Sequence, residues 1–273
     1  MSEIQLTPLG TVSPYPKDGK NCPGFLIKYE DKNILFDCGN GCTRLLNMEQ
    51  DLNNLTIMIS HLHPDHYGDL LSLLQSIYVY RRYGYVKGQI DLYIPSSMED
   101  KTEHYTDADG WGCSRNVSDH SLDYYLIYKY ANQAGVNVIE YDKYDNKYNY
   151  NDIELSTLLV PHQVESYALK FESEGGTIVY SGDTGTKNDL RKFANNADLF
   201  VCESTFIKGQ LRVEDAHLYA HEAGEIARDA SVKKLLLTHF WPELDKKLYL
   251  DEASKVFQNT EVAEEGKIVK VRR

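Results

Sequence analysis

A cluster of metal-binding side chains at residues 61–66 constrains the fold of this chain more than any other feature. The cluster reads His-Leu-His-Pro-Asp-His and follows residues 55–60, an apolar run that predicts a buried strand. Neighbouring residues of an extended segment point to opposite faces, so the chain must turn before these side chains can face metal ions together. Pro64 and Gly68 supply that turn. The pattern predicts a loop with two pairs of metal ligands, which are His61 with His63 and Asp65 with His66.

Four further candidates each lie just beyond a short apolar run that predicts a strand. They are Asp37 after residues 33–36, His162 after 155–161, Asp183 after 177–182 and His239 after 234–238. In α/β folds, side chains beyond the carboxyl ends of strands meet in one crevice. We therefore expect these residues to share one site with the cluster at 61–66.

The form His-x-His-x-Asp-His, with the later histidines and aspartates in this order, resembles the metallo-β-lactamase superfamily of hydrolases. The resemblance implies an α/β protein built as a four-layer αββα sandwich, with the metals along one edge. It also implies two sets of ligands and a bridge. His61, His63 and His162 would hold the first ion, Asp65, His66 and His239 the second, and Asp183 would bridge the two.

Nitrogen and carboxylate ligands without cysteine suit zinc in a catalytic site, so we predict two Zn²⁺ per chain. Mn²⁺ and Fe²⁺ also fit these ligand types. Leu62 or Pro64 stands where the superfamily's di-iron redox members carry a glutamate, which argues against oxygen chemistry. Two divalent ions lower the pKa of a shared water and stabilise developing charge, so the predicted reaction is hydrolysis by metal-bound hydroxide.

Segments outside the ligand set resemble ribonuclease Z and its shorter relatives, a branch of the same superfamily. Residues 9–21 and 35–41 resemble the opening of that group, 198–205 its segment ending His-Glu-Ala-Thr, and 216–227 its His-x-Thr segment. Tyr219 departs from the pattern, because threonine is usual at its position.

This narrower resemblance implies an acid for the leaving group. His217 stands at the histidine of the His-x-Thr segment and would protonate the leaving oxygen, while Glu203 would hold the imidazole in place. A phosphodiester needs such an acid, because an alkoxide leaves poorly without a proton. We therefore predict His217 and Glu203 to be catalytic, together with Asp65, which is also a predicted ligand.

Length and composition fit one domain with one large core. We predict a single domain over residues 1–273 with an acidic, tyrosine-rich insert at about 99–150. Helices are expected at residues 68–83, 219–230 and 251–258. The five cysteines form no Cys-x-x-Cys pair, and we find neither a signal segment nor an apolar run of the roughly 20 residues that span a membrane. We expect a cytoplasmic protein with reduced cysteines.

The net charge of −12 argues against a large polyanionic substrate, which usually requires a surface rich in Lys and Arg. Full-length ribonuclease Z carries a Lys-rich arm for transfer RNA between its first His cluster and its next His ligand. Residues 99–154 of this chain instead hold twelve Asp and Glu against five Lys and Arg. Fourteen of the 21 tyrosines fall at residues 78–150. We expect these tyrosines to cover a core or form a homodimer contact, the alternative being a surface that stacks on a base.

These observations favour a dinuclear zinc phosphodiesterase of the ribonuclease Z type that acts on a small or short phosphodiester. Three alternatives stay open: a transfer-RNA 3′-processing endoribonuclease, a lactone or thioester hydrolase on the same metal core, and a non-catalytic metal-binding protein. Transfer RNA is not favoured by the charge, and no membrane partner is expected. Among the remaining histidines, His104 and His120 are expected to be solvated, and His221 is expected to be exposed rather than a metal ligand.

Overall fold

The computed structural model describes residues 3–96, 121–142, 147–150, 152–186, 189–212 and 215–273. The strands within these ranges form two seven-stranded sheets. The first sheet contains β1 (Ile4–Gly10), β2 (Gly24–Tyr29), β3 (Lys32–Phe36), β4 (Leu55–Met58), β5 (Asp91–Ile94), β6 (Asn137–Glu140) and β14 (Val269–Val271). The second contains β7 (Lys147–Tyr150), β8 (Ile153–Val160), β9 (Ser166–Ser173), β10 (Gly176–Tyr180), β11 (Leu199–Glu203), β12 (Leu235–Thr238) and β13 (Thr260–Val262).

The two sheets have matching mixed topologies. The first has the order β14-β1-β2-β3-β4-β5-β6, and the second β13-β12-β11-β10-β9-β8-β7. Strands β3 to β6 are parallel neighbours in the first sheet, as are β10 to β13 in the second. Strand β8 runs in the direction of β10, because both are antiparallel to β9. The predicted site residues therefore follow the carboxyl ends of strands in both sheets. These strands are β3, β4, β8, β10, β11 and β12.

Side-chain alternation distributes the apolar residues among three separate cores. In β2, Phe25 and Ile27 enter the core between the two sheets, whereas Leu26 enters an outer core on the other face of the first sheet. In β11, Val201 faces the other sheet and Phe200 enters a third core on the outside of the second sheet. Three cores separate four layers, which confirms the predicted αββα sandwich.

Seven α-helices in the described ranges belong to the outer layers and loops. They are α1 (Met48–Asp51), α2 (Pro64–Tyr67), α3 (Leu70–Arg82), α4 (Ser121–Ala134), α5 (Leu190–Phe193), α6 (Ala220–Asp229) and α7 (Lys246–Ala253). The predictions for 68–83 and 219–230 are confirmed to within two residues by α3 and α6. The prediction for 251–258 is wrong. Helix α7 begins earlier, because the carboxylate of Asp245 caps it by accepting from the backbone N–H of Lys247 at 2.8 Å.

Part of the predicted insert at 99–150 lies outside the described residues, as do His104, His120 and Cys113. Its described part forms α4, β6 and β7, and its tyrosines serve different surroundings. Tyr141 is buried in the core between the sheets, and Tyr148 packs against that core 4.4 Å from the ring of Tyr93. Tyr125 is instead 60% exposed. Covering a core is thus a role of Tyr141 and of the β7 tyrosines, but not of every tyrosine in the insert. None of the helices in the described ranges is long and apolar enough to cross a bilayer.

Candidate metal centre and acid pair

The predicted site residues meet beyond the carboxyl ends of the strands. Asp37 directly follows β3, and His239 directly follows β12. Both have left-handed backbones, with φ of 57° and 62°, which non-glycine residues adopt rarely and often at functional sites. Gly182, just before Asp183, also has positive φ, and a Cβ there would lie 2.5 Å from the carbonyl oxygen of Tyr167. Only glycine therefore lets the chain turn Asp183 into this site.

A first group of donor atoms surrounds one point. Nδ1 of His63 lies 3.1 Å from Nε2 of His61 and 3.1 Å from Nε2 of His162. Oδ2 of Asp183 lies 3.6 and 3.9 Å from the same two Nε2 atoms. A tetrahedral zinc ion with ligands at about 2.0–2.1 Å separates its ligand atoms by about 3.3 Å. The four side chains thus match the spacing of a tetrahedral metal site.

A second group shares Asp183. The Oδ2 atom of Asp65 lies 3.6 Å from Nε2 of His66 and 3.7 Å from Nε2 of His239. The Oδ2 atom of Asp183 lies 3.4 and 3.0 Å from those same nitrogens. One carboxylate oxygen thus stands within 4 Å of histidines from both groups, which is the position that a bridging ligand requires.

Three buried polar atoms of the second group support a bound cation. Nε2 of His66, Nε2 of His239 and Oδ1 of Asp183 make no hydrogen bond to any described residue. Leaving a buried polar atom without a partner costs about 1–3 kcal/mol, so such atoms need an explanation. Nitrogen and carboxylate oxygen are donors that divalent transition metals accept. The residues therefore fit the metal ions that the sequence predicts.

The second nitrogen of each of four histidines is held by a neighbour, which in the neutral imidazole fixes the tautomer and leaves the facing Nε2 as the atom available to a metal. The partners are the Ser60 hydroxyl for His61 (3.0 Å), the Asp37 carboxylate for His66 (2.7 Å), the Ala216 carbonyl for His162 (2.9 Å) and the Thr205 hydroxyl for His239 (2.8 Å). Asp37 is in turn held by the N–H and hydroxyl of Ser60 at 2.7 and 2.8 Å. Asp37 therefore orients a histidine from behind.

The two groups differ in electrostatic character. Burial lowers the pKa of His61 and His162, and that of His63 to about 4, so all three are neutral imidazoles, the form that binds metal. Burial opposes protonation of His239 as well, but Asp183 and Asp65 outweigh it and raise its pKa to about 10. The carboxylates thus concentrate negative potential in the second group, where it favours a cation.

His217 and Glu203 form a hydrogen-bonded pair next to these groups. Nδ1 of His217 donates to Oε1 of Glu203 at 3.1 Å and lies 3.8 Å from Oδ2 of Asp183. Burial lowers the pKa of His217, but the Glu203 carboxylate outweighs burial and the net shift is upward. Burial likewise raises the pKa of Glu203, and His217 reverses that shift. The pair therefore favours a protonated imidazole beside an ionised carboxylate.

Glu203 is completely buried and accepts several hydrogen bonds. Its donors are the backbone N–H groups of Thr184 (2.9 Å), Thr205 (3.3 Å) and Leu218 (3.2 Å), the Thr205 hydroxyl (2.7 Å) and His217. The distances of Asp183, His217 and His239 would also allow His217 to be a metal ligand. However, the His217 nitrogen nearest Asp183 is the one whose proton is directed to Glu203. This geometry favours an acid over a ligand.

The structure brings together every predicted ligand and both members of the predicted acid pair, and it adds two hydroxyl groups. The Ser13 hydroxyl donates to Oδ2 of Asp65 at 2.8 Å, and Thr205 contacts Glu203, His217 and His239. Neither contact was predicted. Both residues lie in segments that resemble ribonuclease Z, which is the signal that could have identified them.

His221 and Tyr219 lie at the start of helix α6. His221 is less exposed than predicted, because its Nδ1 lies 2.7 Å from Oε1 of Glu252 and its side chain is only 33% exposed. It stands outside all the groups that could hold a metal in the described residues. Tyr219, which replaces the usual threonine, donates its hydroxyl to the carbonyl of Gln210 at 2.8 Å. Its side chain thus forms a hydrogen bond that stabilises the loop around Gln210.

Comparison with known proteins places this site in a family. The family described as the beta-lactamase superfamily domain matches residues 32–240, which include all of the predicted metal ligands. The chain belongs to this family. Its fold and its His/Asp groups identify it as a metal-dependent hydrolase that uses divalent metal.

Individual relatives agree with this assignment. A ribonuclease Z from Archaeoglobus fulgidus is 27% identical, and the alignment covers 96% of each chain. The metallo-beta-lactamase fold protein YhfI from Bacillus subtilis superimposes with a TM-score of 0.78 at 22% identity, over 99% of this chain and all of its own. The short form of human tRNase Z gives a TM-score of 0.71 at 20% identity, over 98% and 100% of the two chains. These structural similarities establish the fold.

Proposed function

We propose that this hydrolase is a dinuclear zinc phosphodiesterase of the ribonuclease Z type. His61, His63 and His162 would hold one ion, Asp65, His66 and His239 the other, and Asp183 would bridge them. Two divalent ions bound there would supply a water of lowered pKa and would stabilise charge on the phosphate oxygens. The relatives named ribonuclease Z support the choice of substrate class, since cleavage of RNA is phosphodiester chemistry.

The observation that carries this proposal is the Glu203–His217 pair beside Asp183. Hydrolysis of an unactivated phosphodiester expels an alkoxide, which must be protonated as it leaves. His217 is held by Glu203 through Nδ1, has a raised pKa and lies beside the predicted bridging carboxylate, so in its protonated form it can give the proton on Nε2 to the leaving oxygen. Glu203 holds the imidazole and stabilises its charged form. A thioester hydrolase would have no need for such an acid, because a thiolate leaves without a proton.

The charge of the protein favours a small or short phosphodiester over intact transfer RNA. The net charge is −12, and the part of the chain where an RNA-binding arm would be expected is acidic. Counterion release from Lys and Arg contacts supplies much of the affinity for long polyanions, and this surface offers little of it. The observation that favours transfer-RNA processing is the 96% coverage of ribonuclease Z from Archaeoglobus fulgidus. A gel assay on precursor transfer RNA, with a dinucleotide as competitor, distinguishes these substrates.

The test of the mechanism compares two leaving groups in the His217→Ala variant. On the thymidine dinucleotide TpT, whose leaving group is an alkoxide, we expect kcat to fall by roughly 10²–10⁴-fold. On the p-nitrophenyl ester of thymidine phosphate, the leaving group departs without a proton and the loss should be much smaller. Metal content should be unchanged in the variant.

A matched control is available in His221→Ala. His221 is also a half-buried histidine paired with a carboxylate, that of Glu252, but it lies outside the site. It should leave both substrates unaffected. Equal losses on both substrates for His217→Ala would show that His217 supports the metals or the substrate and would remove the argument for a leaving-group acid. Turnover of lactones or thioesters that is insensitive to His217→Ala, without phosphodiesterase activity, would favour the alternative hydrolases.

A further inference from the structure

Two exposed aromatic side chains contact each other, and each is close along the chain to a residue of the candidate metal centre. Tyr15 is 39% exposed and Trp241 is 38% exposed, and their ring centroids lie 6.0 Å apart at an interplanar angle of 76°. In this edge-to-face contact, one ring directs its edge at the other, so ring surface stays available for a ligand. The exposure of two adjoining large aromatic rings needs an explanation, because their burial would be favourable.

The backbone ties both rings to the second metal group. Tyr15 follows two residues after Ser13, whose hydroxyl donates to Asp65, and Trp241 follows two residues after His239. Two residues span at most about 7 Å of chain. The two segments are joined to each other, since the N–H of Ser13 donates to the carbonyl of Phe240 at 3.0 Å. The Cα atoms of Tyr15 and Trp241 therefore lie within about 7 Å of those of Ser13 and His239, respectively.

Hydrogen bonds hold both residues in place. The Tyr15 hydroxyl donates to Oε1 of Glu243 at 3.0 Å, and the backbone N–H of Trp241 donates to the hydroxyl of Tyr249 at 3.2 Å. Lys17 forms an ion pair with the same Glu243, so its charge is balanced by that carboxylate. This rim is thus ordered before any ligand binds and is better suited to contacts with a ring face than to pairing with phosphates.

We propose that Tyr15 and Trp241 form a stacking subsite for the planar ring of the substrate, a nucleobase carried by a phosphodiester in the metal centre. This inference rests on the proposed phosphodiesterase function and names its substrate class as nucleotides. In a nucleotide, one sugar separates the phosphate from the base. A subsite for the base should therefore lie close to the metals, and both aromatic residues are two positions along the chain from a residue of the metal centre. Stacking gives affinity without cations, which suits a chain with a net charge of −12.

A fluorescence titration tests the subsite without any turnover. The chain contains two tryptophans, Trp111 and Trp241, so a Trp111→Phe variant reports on Trp241 alone. In metal-loaded protein, we expect AMP to quench this fluorescence saturably, whereas ribose 5-phosphate, which has the phosphate but no base, should not. Equal responses to the two ligands, or no response to AMP, would overturn the proposal.

Binding of AMP to the otherwise unchanged protein, measured by equilibrium dialysis, gives an independent readout. Base stacking on an aromatic side chain contributes enough that Trp241→Leu should weaken AMP about 5- to 100-fold and leave ribose 5-phosphate unchanged. The matched control is Tyr83→Leu, because Tyr83 is 74% exposed at the end of α3 and has no tie to the site. Equal effects of the two variants would refute the subsite. A protein that binds AMP in this way but cleaves no phosphodiester would instead refute the proposed function alone.

Discussion

Replacing Thr205 by valine should weaken one metal ion selectively. The Thr205 hydroxyl has a single proton, and Oε2 of Glu203, at 2.7 Å, is an acceptor only, so the proton is directed there. The hydroxyl oxygen must then accept from Nδ1–H of His239 at 2.8 Å. This one group therefore sets the tautomer of His239 and joins it to the carboxylate that holds His217.

The size of the effect follows from these contacts. Valine has nearly the shape of threonine but removes both hydrogen bonds, one of them to a charged group. Loss of a partner behind a metal-binding histidine typically costs about 10- to 100-fold in metal affinity. His239 belongs to the second group only, so we expect a loss of this size at one site, with the first site unchanged. Activity on TpT should fall as well, since Glu203 loses a donor.

Competition between the protein and a chromophoric chelator for zinc measures the two affinities separately. Thr205→Ser, which keeps the hydroxyl, should restore the affinity of the second site. Ser204→Ala is the matched control, because the buried Ser204 hydroxyl donates to the carbonyl of Thr238 at 3.0 Å and touches no predicted ligand. The reasoning would be refuted if Thr205→Val weakened both ions equally, or if Thr205→Ser were no better than valine.

Three further predictions concern the metals and a buried lysine. Elemental analysis should find about two equivalents of divalent metal per chain, mostly zinc, and one of them should be lost in Asp65→Ala; an unchanged content would exclude the second site. Asp183→Ala should lose metal from both sites and lower the melting temperature, whereas full metal content would exclude the bridge. Burial lowers the pKa of Lys246 from its usual 10.5 to about 8, so the folded chain holds this proton less tightly than the unfolded chain. Compared with Lys246→Met, the parent protein should therefore gain stability in urea unfolding as the pH rises from about 8 toward 10.5, and parallel profiles would contradict this shift.

The position of the site could be predicted from the sequence because each ligand follows a strand. The apolar runs before His162, Asp183 and His239 correspond to β8, β10 and β12, and parallel strands bring their carboxyl ends together. The four-layer arrangement could not be read from these runs. Both faces of the central strands are buried, so the runs are continuously apolar and do not reveal which core each side chain enters.

The prediction of helix α7 failed although a local signal was present. Its start at Lys246 was predicted five residues too late, although Asp245 is a residue type that commonly caps helices. Tertiary packing sets this helix, since Tyr249 and Ala253 enter the core outside the second sheet.

Ligands and their supporting hydroxyl groups differ in how visible they are in a sequence. Few residue types bind transition metals, so a histidine or aspartate at a strand end already suggests its role. Serine and threonine serve many purposes, and Ser13 reaches Asp65 across 52 residues of chain. Only the resemblance of the segment around Ser13 to ribonuclease Z could have pointed to that contact. In the structure, the segment after β1 runs beside the segment after β12. The same pairing of segments brings Tyr15 and Trp241 together. Ser13, which contacts a predicted ligand, and the two residues proposed to bind the base therefore lie in paired segments that are far apart in the sequence, so their proximity is a property of the fold.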